Sequence, residues 1–158
     1  MAITAKDVRA LRENTGAGVM DAKQALKDAD GNADKATALL KERGLAKAGK
    51  KAGREAGEGV VHSYIHGNKR VGVLLELRCE TDFVARSTDF QSLASDLGMQ
   101  VAASQPETVE GDSDTALLGQ PFVKDPSQTV RDVVNALITK LGENIQIARF
   151  VRYELGDE

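Results

Sequence analysis

From Val71 to Leu77 an aliphatic residue stands at every second position: Val71, Val73, Leu75 and Leu77, separated by Gly72, Leu74 and Glu76 and flanked by Arg70 and Arg78. A period of two belongs to a strand with one face turned into a core and the other turned out. A helix would scatter these residues around its circumference, so the chain is expected to contain a sheet. The preceding segment, Val60 to His66, supplies a partner strand through Gly67-Asn68, which reads as a two-residue hairpin turn. That turn pairs Tyr64 with Val71, His62 with Val73 and Val60 with Leu75, with all six on one buried face.

On the N-terminal side the period is helical. Thr4 followed by Asp7 is a shortened capping box, Val8 and Leu11 share a face, and Gly16 sits where a C-cap glycine belongs. Val19, Ala22, Ala25, Leu26 and Ala29 form a second apolar stripe, and Asp30-Gly31-Asn32 supplies a turn and a cap for a third helix. Ala33, Ala36, Leu39 and Leu40 make the face of that helix, and Gly44 is expected to end it. Residues 45–57, with Gly49, Gly53 and Gly57 and few large apolar side chains, read as a basic linker, either extended or a weak helix, leading to a second domain.

The helical period returns after Cys79. Phe90, Leu93, Leu97 and Val101 mark one helix; Val130, Val133, Val134, Leu137, Ile138 and Leu141 mark another, with Ser127 as its cap and Gly142 as its stop. Residues 104–126 are acidic, contain Pro106, Pro121 and Pro126, and read as loop. Ile145 to Leu155 reads as a third strand with both faces apolar: Ile145, Ile147, Val151, Tyr153 and Leu155 on one, Ala148 and Phe150 on the other. The expected fold is α+β. It comprises a three-helix domain over 1–44, a linker over 45–57, and a core over 58–158 in which helices cover one face of a three-stranded antiparallel sheet.

Several chemistries are set aside by the same residues. The single cysteine, Cys79, precludes an intrachain disulfide or a Cys-only zinc site. In the expected hairpin it lies roughly 20 Å from His62, out of reach for a nucleophile–base pair, and reads as a buried inert thiol. His62 and His66, roughly 13 Å apart along one strand, cannot share a metal ion within one chain. Gly16-Ala17-Gly18 lacks the preceding strand that a phosphate-binding loop requires and reads as a turn between helices. Lys6, Asp7 and Arg9 interrupt the first residues, and Val71–Leu77 is too short to span a bilayer, so a cytoplasmic protein without a membrane segment is expected.

Charge is unevenly placed: residues 1–57 carry 12 Lys/Arg and 8 Asp/Glu, whereas the remainder carries 9 and 16. Lys41, Arg43, Lys47, Lys50, Lys51 and Arg54 against Glu42 suit either phosphate binding or a solvated face. The scarcity of aromatic residues, 4 % with no tryptophan, leaves no stacking surface for bases. A basic nucleic-acid-binding module with a small dimeric α+β domain is therefore the weaker of two functional readings.

One segment stands apart. Glu80-Thr81-Asp82-Phe83-Val84-Ala85-Arg86 follows a buried strand and precedes a helix, setting a carboxylate beside a large ring in a turn. Taken alone, Phe83 reads as a core residue, because large aromatics are mostly buried.

Two longer motifs add to this. Leu11-Arg12-Glu13-Asn14-Thr15-Gly16-Ala17-Gly18-Val19-Met20-Asp21-Ala22-Lys23-Gln24-Ala25-Leu26 and Cys79-Glu80-Thr81-Asp82-Phe83-Val84-Ala85-Arg86 resemble the two signatures of the bacterial elongation factor Ts family, in their order and spacing. Gln120-Pro121-Phe122-Val123-Lys124-Asp125 and Gly142-Glu143-Asn144-Ile145 resemble it as well. The resemblance covers about 1–104 and 119–156 and departs between residues 104 and 120, where many members carry a longer helical segment.

It implies a ubiquitin-associated-like helical module and a guanine-nucleotide exchange factor for elongation factor Tu, with no cofactor, no metal, no nucleic acid or membrane partner, and no covalent chemistry. It also implies partner contacts by Thr81, Asp82, Phe83 and Val84 in the second motif and by Arg12 and Lys23 in the first, with Asp82 and Phe83 loosening GDP near the partner's magnesium and phosphates. The short core and the two-sided third strand lead to the expectation of a homodimer through the sheet.

Overall fold

The computed structural model describes residues 2–157. Three helices come first, and local chemistry explains their ends. In α1 (Ala5–Thr15) the Thr4 hydroxyl accepts from the Asp7 N–H while the Asp7 carboxylate accepts from the Thr4 N–H, so the short capping box closes in both directions. Gly16 ends the helix in the left-handed conformation, φ 70°, as expected of a C-cap glycine. Helix α2 (Val19–Asp28) follows, and the Asn32 side chain caps α3 (Ala33–Lys51) by accepting from the Lys35 N–H. Leu11, Ala22, Ala25, Leu26, Ala29 and Ala36 are buried between the three helices.

Helix α3 does not stop at Gly44. It continues to Lys51, so the first half of the stretch that reads as linker is helical. Gly44 is buried because α6 (Val130–Leu141) crosses there: a Cβ on Gly44 would lie 3.2 Å from the Thr139 hydroxyl. The glycine serves the approach of two helices, which sequence position alone does not distinguish from a stop. One helical turn later, Ala48 joins the core cluster built on the sheet. The basic residues of this stretch are largely engaged. Lys41 meets Asp132 at 3.1 Å, Lys47 meets Asp21 at 3.1 Å, Arg54 stands 3.5 Å from Glu80, and Arg43 pairs with Asp28. Burial raises the Asp132 carboxyl, but the Thr129 N–H and hydroxyl and the Lys41 ammonium outweigh it and hold it below the ordinary aspartate value.

The sheet has the order β1-β2-β5, all antiparallel, with β1 over Glu58–Ile65, β2 over Val71–Cys79 and β5 over Gln146–Glu154. The alternation of β2 is realised in full: Val71, Val73, Leu75, Leu77 and Cys79 are buried. The hairpin register differs from expectation by two residues, since Tyr64 opposes Val73, His62 opposes Leu75 and Val60 opposes Leu77. The turn spends four residues, not two: His66 N–H bonds to the Val71 carbonyl, Lys69 takes the left-handed conformation, and the Asn68 side chain accepts from the Arg70 N–H. A slip of two leaves every side chain on its expected face, and a slip of one would not have.

Strand β5 departs further from simple alternation. Glu76 opposes Arg149 and Leu77 opposes Ile147, so Ala148 is the extra residue of a bulge. The bulge changes which face is inward. Ile147 is buried and Phe150 packs on the core, whereas Val151 and Tyr153 point outward, opposite Leu74 and Gly72. The expected grouping of Ile147 with Val151 and Tyr153 on one face is thereby corrected.

Helices α5 (Thr88–Ser104) and α6 cover the inner face, with Phe90, Leu93, Leu97 and Val101 buried along α5 as their spacing predicts. Helix α6 starts on Thr129, not Ser127; Thr129 and Asp132 form its capping box, and Gly142 ends it at φ 75°. The region 104–126 is only partly loop. It holds a short turn of 3-10 helix, Leu117–Gly119, and a small hairpin of β3 (Pro121–Phe122) and β4 (Asp125–Thr129). Leu117 and Phe122 enter the core. Buried Gln100 on α5 pins the segment, donating to Gln120 and to the Pro121 carbonyl while accepting from the Val123 N–H. Prolines and acidic side chains obscured these anchors. The exposed surface, 9572 Å², exceeds the roughly 7,700 Å² that size scaling assigns to a compact chain of 16.9 kDa.

Candidate functional site

The corner between β2 and α5 carries the most exposed large apolar side chain among the described residues. Helix α4 is a single turn, Asp82–Ala85, packed against β1 and β2. Thr81 is its N-cap, and the Thr81 hydroxyl accepts from the Val84 N–H at 3.3 Å. Val84 and Ala85 are each only 5 % exposed and anchor the turn in the core. Phe83, between a cap and an anchor, is 80 % exposed. One helical turn cannot bury four successive side chains against one wall, and here Phe83 is a residue left outside. The core reading of Phe83 is corrected on this point.

The rest of the corner is held from several directions. The Glu143 carboxylate accepts from the backbone N–H groups of Glu80 and Thr81, each at 3.0 Å, and from the Thr81 hydroxyl at 2.7 Å. The Cys79 thiol donates to the Thr81 carbonyl at 3.1 Å. Asp82 is exposed and paired with Arg86 at 2.6 Å, one turn along. Composition and spacing gave no signal for Glu143, Asn144 and Arg54 as partners of this corner; Glu143 and Asn144 stood in a motif without an assigned role.

Of the other sequence-derived site residues, Arg12 and Lys23 are both exposed, on α1 and α2. The Arg12 guanidinium donates to the Ala17 carbonyl across the α1–α2 turn. Val19 and Met20 are exposed apolar residues at the start of α2. No hydrogen bond or ion pair among the described residues links Arg12 or Lys23 to the 80–86 corner. Val84 joins the site only from beneath, because its side chain lies in the core.

Cys79 is fully buried at the end of β2. Burial pushes its thiol up to about 11, and the nearby Glu143 carboxylate adds to the shift. His62 opposes Leu75, four positions along β2 from Cys79, which is roughly 13 Å and too far for a shared proton. The thiol is expected to stay neutral at pH 8 and to resist alkylation in the native chain. Rapid stoichiometric labelling by iodoacetamide without denaturant would contradict this. Among the described residues no group of three or more His, Cys, Asp or Glu side chains is placed to hold a metal ion, and no helix is long and apolar enough to cross a membrane.

Fold and site together define an α+β protein in which an N-terminal helical region precedes a small three-stranded antiparallel sheet packed against helices, with an anchored corner that displays an exposed ring. The sequence model of the family described as Elongation factor TS matches residues 24–113. Elongation factor Ts of Moorella thermoacetica is 45% identical over 195 residues, an alignment covering 98% of this chain and 96% of the relative. Those of Prochlorococcus marinus and Nitratidesulfovibrio vulgaris are 46% and 40% identical, covering 98% and 100% of this chain and 90% and 99% of the relatives. The chain belongs to the elongation factor Ts family, and its role lies in translation elongation. The alignments extend over 195 to 198 residues although this chain has 158, so the relatives carry positions without a counterpart here.

Proposed function

We propose that this protein is a guanine-nucleotide exchange factor that binds the GDP form of elongation factor Tu and promotes GDP release. The observation that carries the reading is the exposure of Phe83 on a corner whose every neighbour is tied down. A ring held in water loses little entropy on docking, because its backbone is already ordered, and it gains by entering an apolar pocket of a partner. Asp82 stands beside it and carries a carboxylate whose present partner, Arg86, is equally exposed. Brought near a magnesium shell, that carboxylate competes for the hydrogen bonds that orient the metal's ligands.

Release also requires negative coupling. The factor must bind the nucleotide-free partner more tightly than the GDP form, and GDP must weaken the factor by the same ratio. Lys23 and Arg12, beside exposed Val19 and Met20, offer a second contact from the helical module, so that the partner is gripped in one place and disturbed in another. Val84 contributes as the anchor of the corner, and Thr81 as its cap. The nucleic-acid reading has less support, since Lys41, Arg43, Lys47 and Arg54 are engaged with carboxylates of the same chain. Release of labelled GDP from elongation factor Tu tests the proposal: the chain at catalytic concentration should accelerate it, and an unchanged release rate would reject exchange activity.

The core over 58–158 is proposed to dimerise through the outer face of the sheet. Val61, Ile65, Leu74, Val151 and Tyr153 are exposed there on three neighbouring strands. A contiguous apolar face of this kind is unusual on a monomer. Light scattering at micromolar concentration is expected to give twice the chain mass of 16.9 kDa, and Leu74→Glu should return the mass to that of one chain. A single-chain mass for the parent protein would reject the dimer.

A further inference from the structure

Two acidic side chains clasp the corner from opposite directions. Glu143, the first residue after the glycine that ends α6, receives the N–H groups of Glu80 and Thr81 and the Thr81 hydroxyl. Glu80 reciprocates, its Oε1 accepting from the Asn144 N–H at 2.8 Å. Buried Asn144 in turn donates its side-chain amide to the Arg54 carbonyl at 2.8 Å, just beyond the end of α3, and the Arg54 guanidinium stands 3.5 Å from Glu80. Three segments remote in sequence are thus closed on one another. A carboxylate that takes three hydrogen bonds is a firm anchor, because charge-assisted bonds are roughly twice as strong as neutral ones.

The hydroxyl of Thr81 makes the clasp directional. It has one proton, which goes to Glu143 Oε2, and this turns a lone pair toward the Val84 N–H. Glu143 therefore selects the rotamer in which Thr81 caps α4. The cap sets where the helical turn begins, and so the direction in which Phe83, two residues on, leaves the surface. Phe83 has almost no packing of its own to aim it.

We propose that Glu143 is a positioning residue for exchange: acting through the Thr81 cap, it holds the Phe83 tip in the orientation that docks. This rests on the exchange reading above. The full chain is compared with Glu143→Ala, with Glu143→Gln, which keeps a carbonyl acceptor for the two backbone N–H groups, and with the Glu143→Ala/Phe83→Ala double variant.

In amide hydrogen exchange, Glu143→Ala should speed the amides of residues 81–85 roughly tenfold, with those of β2 unchanged and Glu143→Gln between parent and alanine. In GDP release from elongation factor Tu, Glu143→Ala should lower the maximal rate roughly tenfold and move the half-saturating concentration little, with part of the loss restored by Glu143→Gln. The double variant should be no slower than Phe83→Ala alone, since a misaimed tip and a missing tip are the same defect. Amides at 81–85 that exchange as in the parent overturn the positioning role while leaving exchange activity standing, as does a double variant slowed by the product of the two single effects. A parent chain that fails to accelerate release overturns the exchange reading and the role in exchange together. Should Glu143→Ala not fold, Thr81→Val, which removes only the hydroxyl, carries the same two measurements.

Discussion

Phe83→Ala is expected to leave the stability of the chain within about ±0.5 kcal/mol of the parent and to slow GDP release from elongation factor Tu roughly thirty-fold. The first half follows from exposure. A ring that is 80 % exposed buries almost nothing on folding, and the cap and anchors of α4 lie on Thr81, Val84 and Ala85. The second half follows from what an exposed ring on a fixed support does in a complex. A central aromatic contact contributes about 2 kcal/mol, and a contact made in the release-competent state appears in the rate. Urea denaturation and GDP release on the same preparation check both halves. A parallel loss of stability and of rate would show that Phe83 supports the fold and would remove it from the mechanism. An unchanged release rate with intact stability would place the disturbing contact elsewhere.

The same substitution seven residues later should have the opposite effect. Phe90→Ala is expected to cost about 3–5 kcal/mol of folding stability. Phe90 is fully buried in the first turn of α5, its N–H held by the Ser87 cap and its ring in the core cluster with Leu93 and Leu97. Removing the ring takes away its burial and leaves a cavity that close-packed neighbours refill only in part. The urea midpoint should fall at an unchanged slope, and the melting temperature should fall by roughly 10 °C. A loss below 1 kcal/mol would mean that the space between α5 and the sheet collapses around the smaller side chain.

These two phenylalanines also mark how far the sequence can be read. Phe90 belongs to a stripe that repeats along α5, and its burial is legible from that repetition. Phe83 belongs to no stripe, and composition alone favours the interior for it. The corner is legible in the sequence only through its resemblance to a family motif. What puts the ring outside is the packing of one helical turn, in which Val84 and Ala85 take the inner wall. Arg12 and Lys23 are legible as exposed because they fall on the polar sides of short helices.

Local rules settled much of the rest. The caps at Thr4, Asn32, Gly16 and Gly142 act within one turn of their helices and depend on no distant contact. The alternation of β2 determines which of its residues face the core, and a register two residues from the expected one keeps the same faces because the pleat repeats every two residues. The tertiary structure decided whatever depends on a second segment. Gly44 lies inside a helix because α6 approaches it, not because a helix ends there. Ala148 bulges and turns Val151 and Tyr153 outward because β5 must match β2 on both sides of a misfit. Leu117 and Phe122 are core residues in a proline-bearing acidic stretch because Gln100 pins that stretch to α5. The physical reason is common to all three. Periodicity and capping are written in neighbours along the chain, whereas close approach, bulges and buried polar clasps are set by partners that only folding brings together.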